Sequence, residues 1–221
     1  MNLPKSISLI RIVNFLIIAF TFYACNTPGE SVSEGIGDHS WPVTSATKGN
    51  TKYSPLDQIN RENVHLLEVA WEYDAGEEGY SIECNPIIID GILYATSPTV
   101  SAFALEAATG KELWVFDPFA YEAERRPGDN DRMRKNSAVN RGIASWQEGE
   151  EHRLFFGTGP FMYAIDAKTG QPIQSFGEKG RIDLLHGLDR EVEGLWINAS
   201  SPGIIYKDRD NKRRNINTIT K

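Results

Sequence analysis

The chain has 221 residues, of which 40% are hydrophobic and 24% charged, and its 30 acidic and 23 basic side chains give a formal net charge of −7. This composition is that of an ordinary globular protein and excludes a disordered, collagen-like or polytopic membrane chain. The acidic balance argues against a nucleic-acid-binding protein, which needs a basic face, and two cysteines cannot form a disulfide framework.

The first 24 residues predict a bacterial export signal of the lipoprotein type. Lys5 and Arg11 supply positive charge. The mostly apolar run over 12–22 is shorter than the roughly 20 residues that a membrane span needs, but it suits a signal peptide. Cys25 follows in a sequence that resembles a lipobox, so we expect cleavage after residue 24 and a lipid on Cys25. The alternative is an uncleaved signal anchor. Both interpretations place the remainder in the periplasm or cell envelope, attached to a membrane.

The segments before the first sheet predict little regular structure. Residues 25–40 are rich in Gly, Ser and Glu and lack periodicity, which predicts a flexible linker. Asn60 is placed to cap a short turn over Arg61–Leu66, and helix signals elsewhere are few. Glu68–Tyr73, which contains Trp71, predicts a lone strand ahead of the first sheet.

A thirteen-residue pattern occurs twice in the chain, at 104–116 and at 164–176. Gly110 and Gly170 occupy the same position in the two copies, 60 residues apart. Each copy predicts a strand, an Ala-x-x-Thr-Gly turn and a second strand, and the glycine supplies the positive φ that a tight turn needs. A repeated period of this length indicates tandem structural units.

Each unit predicts four strands, and in the first unit Asp90-Gly91 is a strong hairpin signal. The strands predicted for the first unit are Pro86–Ile89, Ile92–Thr96, Ser101–Leu105 and Glu112–Phe116. Those predicted for the second are Gly142–Trp146, Arg153–Thr158, Phe161–Asp166 and Pro172–Phe176, and Pro202–Tyr206 predicts the start of a third. Tandem four-stranded units are typical of β-propeller blades. The sequence therefore predicts an all-β fold, an incomplete β-propeller that does not close.

Several segments together resemble the N-terminal part of a pyrroloquinoline quinone (PQQ)-dependent dehydrogenase, in particular the quinoprotein glucose dehydrogenase group. They are the two blade motifs, Tyr-Ser-Pro-Leu at 53–56, Glu83-Cys-Asn-Pro86 and Val139-Asn-Arg-Gly142, and the resemblance covers about residues 41–208. It implies an eight-bladed propeller with PQQ on its axis, a Ca²⁺ ion beside the cofactor and an Asp as general base. Eight blades at this period need about 480 residues, so residues 41–208 correspond to the first two to three blades.

The resemblance implies three PQQ-binding residues in this chain: Glu83, Arg141 and Thr158. Glu83 matches an acidic residue before the first strand, and Thr158 stands where the family places a hydroxyl donor to a PQQ carboxylate. Arg141 matches the arginine of the Asn-Arg-Gly segment, whose planar fork suits a tricarboxylated quinone. The alternatives are a solvated acid at Glu83, a salt bridge between blades at Arg141 and a turn residue at Thr158.

Three departures from the family pattern bear on the branch and the packing. Lys135 and Asn136 stand where the alcohol dehydrogenase branch has adjacent cysteines, which disfavours that branch. Trp146 stands where membrane glucose dehydrogenases can place a His, and we expect it in the core. Gln174 replaces the tryptophan of the first motif, which predicts the loss of one contact between blades.

No catalytic residue is predicted within the chain, because the Asp base and the Ca²⁺ ligands implied by the resemblance fall beyond the start of the third blade. Asp129–Asp131 is acidic but lacks the spacing of a calcium loop, so we predict no metal site there. Residues 207–221 carry six basic and two acidic side chains, a local charge of +4. The polar segment 209–221 predicts an aberrant tail from a frameshift or truncation, or else a disordered basic tail. We expect the chain to be inactive alone.

Two functions from different classes are compatible with these features. The first is the N-terminal part of an exported PQQ-dependent dehydrogenase that oxidises a glucose-like sugar or an alcohol and passes electrons to a respiratory quinone or cytochrome. The second is a non-catalytic, lipid-anchored propeller scaffold of the outer-membrane assembly type. Such scaffolds have no reason to retain Glu83-x-x-Pro86 and Asn140-Arg-Gly142, so the sequence favours the enzyme.

Overall fold

The computed structural model describes residues 40–47, 49–76, 81–123, 139–192, 195, 197–203 and 205. Several predicted features lie outside these residues: the signal peptide 1–24, Cys25, nearly all of the linker 25–40, Asp129–Asp131, Lys135, Asn136 and the tail 209–221. Within the described part of the chain, no helix is both long and apolar enough to cross a bilayer.

The first sheet is a four-stranded antiparallel meander, blade 1. Its strands are β1 (Ile87–Ile89), β2 (Ile92–Thr96), β3 (Ala102–Glu106) and β4 (Glu112–Phe116), paired in that order. β2 and β4 begin and end at the predicted residues, β1 begins one residue later than predicted, and β3 lies one residue further along the chain at both ends. The β1–β2 hairpin closes with Ile89 opposite Ile92.

The second sheet, blade 2, repeats this order. Its strands are β5 (Ala144–Glu148), β6 (Glu151–Thr158), β7 (Phe161–Asp166) and β8 (Arg181–Asp183). The predicted fourth strand at Pro172–Phe176 is wrong, since only Pro172 makes a bridge, to Ile165. The chain turns at 174–180 and returns to pair Arg181 with Tyr163. Residues 177, 179 and 180 have positive φ, and these form the turn that moves the fourth strand along the chain.

The two sheets pack face to face, and the core lies between them. Its members include Ile87, Tyr94, Trp114 and Phe116 from blade 1 and Leu154, Phe156, Phe161, Tyr163 and Ile165 from blade 2. The ring of Phe116 lies 6.1 Å from that of Phe156 and 5.8 Å from that of Tyr163, centroid to centroid. Phe103 and Phe155 point to the opposite faces of their sheets, where further apolar clusters cover them. Each blade therefore carries apolar side chains on both faces, although Leu113 and Val115 at the edge of blade 1 are exposed.

The glycines of the repeated motif receive tryptophan side chains. Trp114 of β4 donates its indole N–H to the carbonyl of Ala167 at 3.0 Å, with its ring against Gly170. Trp71 makes the same contact one blade earlier, donating to the carbonyl of Ala107 at 3.1 Å with its ring against Gly110. Gln174, which replaces the next tryptophan, is exposed and donates to the carbonyl of Pro172 in its own turn. Within the described residues, the tryptophan contact thus occurs at both repeats.

A short helix that the sequence analysis did not predict joins the blades. The helix α1 (Pro118–Ala123) begins after Asp117, whose carboxylate accepts hydrogen bonds from the backbone N–H groups of Phe119 and Ala120. Asp followed by Pro is a favourable start for a helix, and this signal was available in the sequence. Glu122 of α1 forms a buried ion pair with Arg181 of β8, at 2.7 Å between Oε2 and Nη1.

The segment before β1 confirms one prediction and contradicts another. Trp41 pairs with Ile88 by two backbone hydrogen bonds, which holds the start of the described chain against β1. Asn60 caps the predicted turn, because its Oδ1 accepts the N–H groups of Glu62 and Asn63. The predicted strand at Glu68–Tyr73 is wrong, since this segment pairs with no strand of the described chain.

The predicted strand at Pro202–Tyr206 is not observed where the structure can test it. Residues 202, 203 and 205 lie outside any strand, and residues 204 and 206 lie outside the described residues. The described chain thus forms two complete blades, which do not close into a ring.

Candidate functional site

Three chain segments meet where β1 and β5 begin. The backbone N–H of Asn85 donates to the carbonyl of Arg141 at 3.1 Å, and the N–H of Arg141 donates to the carbonyl of Ser200 at 2.7 Å. Asn85 and Gly142 form a parallel bridge. We call the three segments, residues 83–86, 140–142 and 199–202, the entry segments, because the first two lead directly into the first strands of their blades. They place the predicted residues Glu83 and Arg141 side by side.

Arg141 and Glu83 form a long, partly exposed ion pair. Arg141 Nη2 lies 3.8 Å from Glu83 Oε2, and the side chains are 54% and 41% exposed. Arg141 Nη1 also donates to Ser200 Oγ at 3.3 Å. An exposed pair at this separation contributes little stability, about 0–1 kcal/mol. The contact therefore leaves the guanidinium accessible to a ligand. The same contact also agrees with the alternative role given for Arg141 in the sequence analysis, a salt bridge between blades.

Gly142 lets the entry segments approach closely. Its φ is 154°, and a Cβ built on it would lie 3.1 Å from Thr44 Oγ1 and 3.4 Å from the carbonyl oxygen of Asn85 and Cγ of Pro202. A side chain there would press on all three neighbours, so the Asn-Arg-Gly sequence needs its glycine for packing as well as for backbone conformation.

Asn140 anchors the middle entry segment to both blades. Its side chain is buried, and Oδ1 accepts the hydroxyl of Thr96 at 3.2 Å and the backbone N–H of Gly142 at 2.9 Å. Its Nδ2 donates to the carbonyl of Gly157 in β6 at 2.9 Å. The sequence analysis quoted Asn140 as part of the motif but assigned it no role.

Thr158 closes β6 next to this anchor. It is 1% exposed, and its Oγ1 has no hydrogen-bond partner among the described residues. A buried hydroxyl without a partner is costly, about 1–3 kcal/mol. On either side of it, Gly157 accepts from Asn140 and Gly159 accepts the N–H of Ala199. The structure thus places Thr158 beside the entry segments, although within the described chain no hydrogen bond joins its side chain to Glu83 or Arg141.

The polar side chains of the entry segments other than Glu83 and Arg141 are uncharged. Burial raises the pKa of the Cys84 thiol, so it is protonated at neutral pH; its Sγ accepts the backbone N–H of Thr96 at 3.3 Å. Glu83 and Arg141 are therefore the charged groups of the entry segments. Across the described part of the chain, no three His, Cys, Asp or Glu side chains converge to hold a metal ion.

Trp146 packs as expected in the apolar cluster of Phe155 and Phe176 on the outer face of blade 2. The guanidinium of Arg153 lies over its ring, 5.4 Å from the centroid. These contacts give Trp146 a packing role.

The donor set at the entry segments suits an anionic, oxygen-rich ligand. A guanidinium provides a planar fork for carboxylate or quinone oxygens, and a buried hydroxyl without a partner provides a further donor. The Glu83 carboxylate lies 3.8 Å from the same guanidinium and forms an ion pair with it. These residues fit the cofactor implied by the family resemblance. The observation that supports this fit is the Thr158 hydroxyl, which is buried and has no hydrogen-bond partner among the described residues.

Comparison with known proteins agrees with this fit. Residues 41–209 match the family model described as glucose/ethanol/alcohol dehydrogenase, β-propeller domain, of the PQQ type. The dehydrogenase subunit of alcohol dehydrogenase (quinone) from Gluconacetobacter polyoxogenes is 40% identical over 145 residues, which are 62% of this chain and 18% of that protein. The 1-butanol dehydrogenase (cytochrome c) of Thauera butanivorans is 36% identical over 134 residues, 60% of this chain and 18% of that protein.

A solved structure shows the same fold. The quinohemoprotein alcohol dehydrogenase of Comamonas testosteroni superposes with a TM-score of 0.59 at 26% identity, over 80% of this chain and 23% of that one. The chain thus spans about a fifth of the length of the proteins it matches. The glucose branch that the sequence analysis favoured is not represented among these three relatives, whose names all describe alcohol oxidation.

Proposed function

The chain belongs to the PQQ-dependent glucose/ethanol/alcohol dehydrogenase family of β-propellers, and from this premise we propose that it supplies the first blades of an exported quinoprotein that oxidises an alcohol. The observation that carries the proposal is the entry-segment site, where Arg141 and Glu83 form an ion pair. Thr158 closes β6 next to the Asn140 anchor of this site, and its hydroxyl has no hydrogen-bond partner among the described residues. A scaffold propeller would gain nothing from such a site.

This chain's own residues would bind and orient the cofactor. Bound PQQ supplies the electron acceptor for oxidation of the substrate. The Arg141 guanidinium would donate charge-assisted hydrogen bonds to its carboxylate or quinone oxygens, with Glu83 3.8 Å from that guanidinium. The Thr158 hydroxyl gains the acceptor that it lacks within the described chain. The Ca²⁺ ion and the Asp base implied by the family have no match among the residues assigned here, so we expect the chain to bind PQQ without turning over substrate.

The substrate and the electron acceptor are proposed from the relatives. The names of alcohol dehydrogenase (quinone) and 1-butanol dehydrogenase (cytochrome c) both specify an alcohol as the substrate. The first name adds a quinone and the second a cytochrome c. An alcohol is therefore a better supported substrate than the glucose-like sugar. A respiratory quinone or a cytochrome c is the proposed acceptor.

We further propose export by the signal peptide 1–24 and lipid attachment at Cys25, which the residues before it support. Labelled palmitate fed to expressing cells should appear in the protein and be absent from Cys25→Ser. Equal labelling of both would contradict the lipid anchor.

The cofactor proposal is tested by titrating the 221-residue chain with PQQ and following its fluorescence. Arg141→Ala removes charge-assisted hydrogen bonds and should weaken binding by about 10- to 100-fold. The matched control is Arg153→Ala, which removes an arginine that pairs with Glu151 away from the entry segments. Equal affinity of the wild-type chain and Arg141→Ala, or an equal loss in both variants, would contradict the proposal.

A further inference from the structure

Asn140 is a buried amide whose hydrogen bonds reach both blades. It is 4% exposed, it accepts from Thr96 at the end of β2, and it donates to the carbonyl of Gly157 in β6. Its third bond is local, from the N–H of Gly142, two residues along the chain. A side chain with these three partners couples the end of blade 1, the end of a blade 2 strand and the Asn-Arg-Gly turn.

The backbone of Arg141 is held much more firmly than its side chain. Its N–H donates to Ser200, and its carbonyl accepts from both the N–H and the Nδ2 of Asn85, at 3.1 and 3.3 Å. By contrast, the guanidinium makes contacts of 3.3 and 3.8 Å and is half exposed. The position from which the guanidinium reaches a ligand is therefore set by the backbone, and Asn140 fixes that backbone from the residue before it.

We propose that Asn140 is a positioning residue for cofactor binding, acting through Arg141. The inference rests on the proposed function, because it assigns Arg141 the contact with PQQ. Asn140 fixes the distance between the two proposed donors to PQQ, the Arg141 guanidinium and the Thr158 hydroxyl. Its Oδ1 accepts from Gly142 in the turn that carries Arg141, and its Nδ2 donates to Gly157, the residue before Thr158. Pre-ordering of these two groups lowers the entropy cost of binding a rigid, anionic ligand.

The test is a thermodynamic cycle on the 221-residue chain, with PQQ affinity as the readout. Asn140→Ala should weaken PQQ binding about tenfold when Arg141 is present and less than about twofold in the Arg141→Ala background. A merely structural role would reduce affinity by the same factor in both backgrounds, and that result would overturn the proposal. If Asn140→Ala does not fold, Asn140→Ser, which is too short to reach the carbonyl of Gly157, provides the same comparison.

Thr96→Val is the matched control. It removes the hydroxyl that donates to Asn140 but leaves the bonds to Gly142 and Gly157, so it should weaken PQQ binding less than about threefold. A loss equal to that of Asn140→Ala would show that the bonds to Gly142 and Gly157 are not the ones that matter, and would overturn the proposal.

Hydrogen exchange separates this inference from the proposed function. The amide N–H of Arg141 is bonded to Ser200 and should exchange at least about tenfold faster in Asn140→Ala, with no PQQ present. Unchanged exchange would overturn the positioning role whatever PQQ does. A wild-type chain that does not bind PQQ would contradict the proposed function, and the exchange rate would still decide whether Asn140 holds Arg141.

Discussion

Substitution of Gly170 by alanine should destabilise the chain through two separable effects. Gly170 has a φ of 69°, which costs an alanine about 1–2 kcal/mol. In addition, a Cβ there would lie 2.7 Å from Cδ2 and Cε3 of Trp114. That ring is buried and its N–H is bonded to Ala167, so it cannot move aside freely. Overpacking of a filled core adds about 1–3 kcal/mol, for an expected total of about 2–5 kcal/mol.

Gly149→Ala isolates the backbone effect. Gly149 has a similar φ of 59°, but no atom of the described chain lies within 4 Å of a Cβ built there. We expect a loss of about 1–2 kcal/mol for Gly149→Ala in urea unfolding followed by tryptophan fluorescence. Gly110→Ala should fall between the two, because Trp71 is only half buried and lies outside a strand. Equal losses for Gly149→Ala and Gly170→Ala would refute the idea that the tryptophan contact demands glycine.

Two other groups give testable effects on stability. Arg181→Met removes the arginine that pairs with the buried carboxylate of Glu122 and should cost about 3–5 kcal/mol in urea unfolding. The double variant with Glu122→Gln should recover part of that loss, and strict additivity would contradict the pairing. Burial of His152 between the blades lowers its pKa from the ordinary 6.5, against the opposing effect of Asp90 and Asp166. The unfolded chain then binds the proton more tightly, so the contribution of His152 to stability should be full above pH 6.5 and fall as the pH drops towards the folded-state pKa. His152→Gln should flatten this pH dependence in a series of melting curves. An unchanged slope would argue against the role of His152.

The sequence predicts the local architecture of the blades well, because short-range signals determine it. Asp90-Gly91 forms the hairpin turn with positive φ at both residues, 51° and 76°, and the strands on either side follow. The fourth strand of blade 2 could not be placed in this way. Its position depends on a turn at 174–180 and on the burial of Arg181 against Glu122 and Phe161, contacts between elements far apart in the chain.

The candidate site shows the same division. The motifs point to Glu83 and Arg141, and the structure brings these two side chains together. The motif includes Asn140 but does not indicate its role, and Ser200 lies in no motif, because their partners come from segments that meet only in the folded chain. The role of Thr158 stays a prediction, although its unpartnered hydroxyl gives that prediction a physical basis.

The tryptophan-to-glycine contact has a direction. Blade 1 donates the indole N–H of Trp114 to the turn of blade 2 and accepts that of Trp71 on its own turn, so the contact is head-to-tail and not self-complementary. Such bonds repeat with a constant rotation and produce either a closed ring or an open spiral, depending on whether the rotation divides a full circle. Gln174 interrupts the series, since it offers no indole to a following blade. A blade that followed blade 2 would therefore have to be positioned by side chains other than a tryptophan at this point of the repeat.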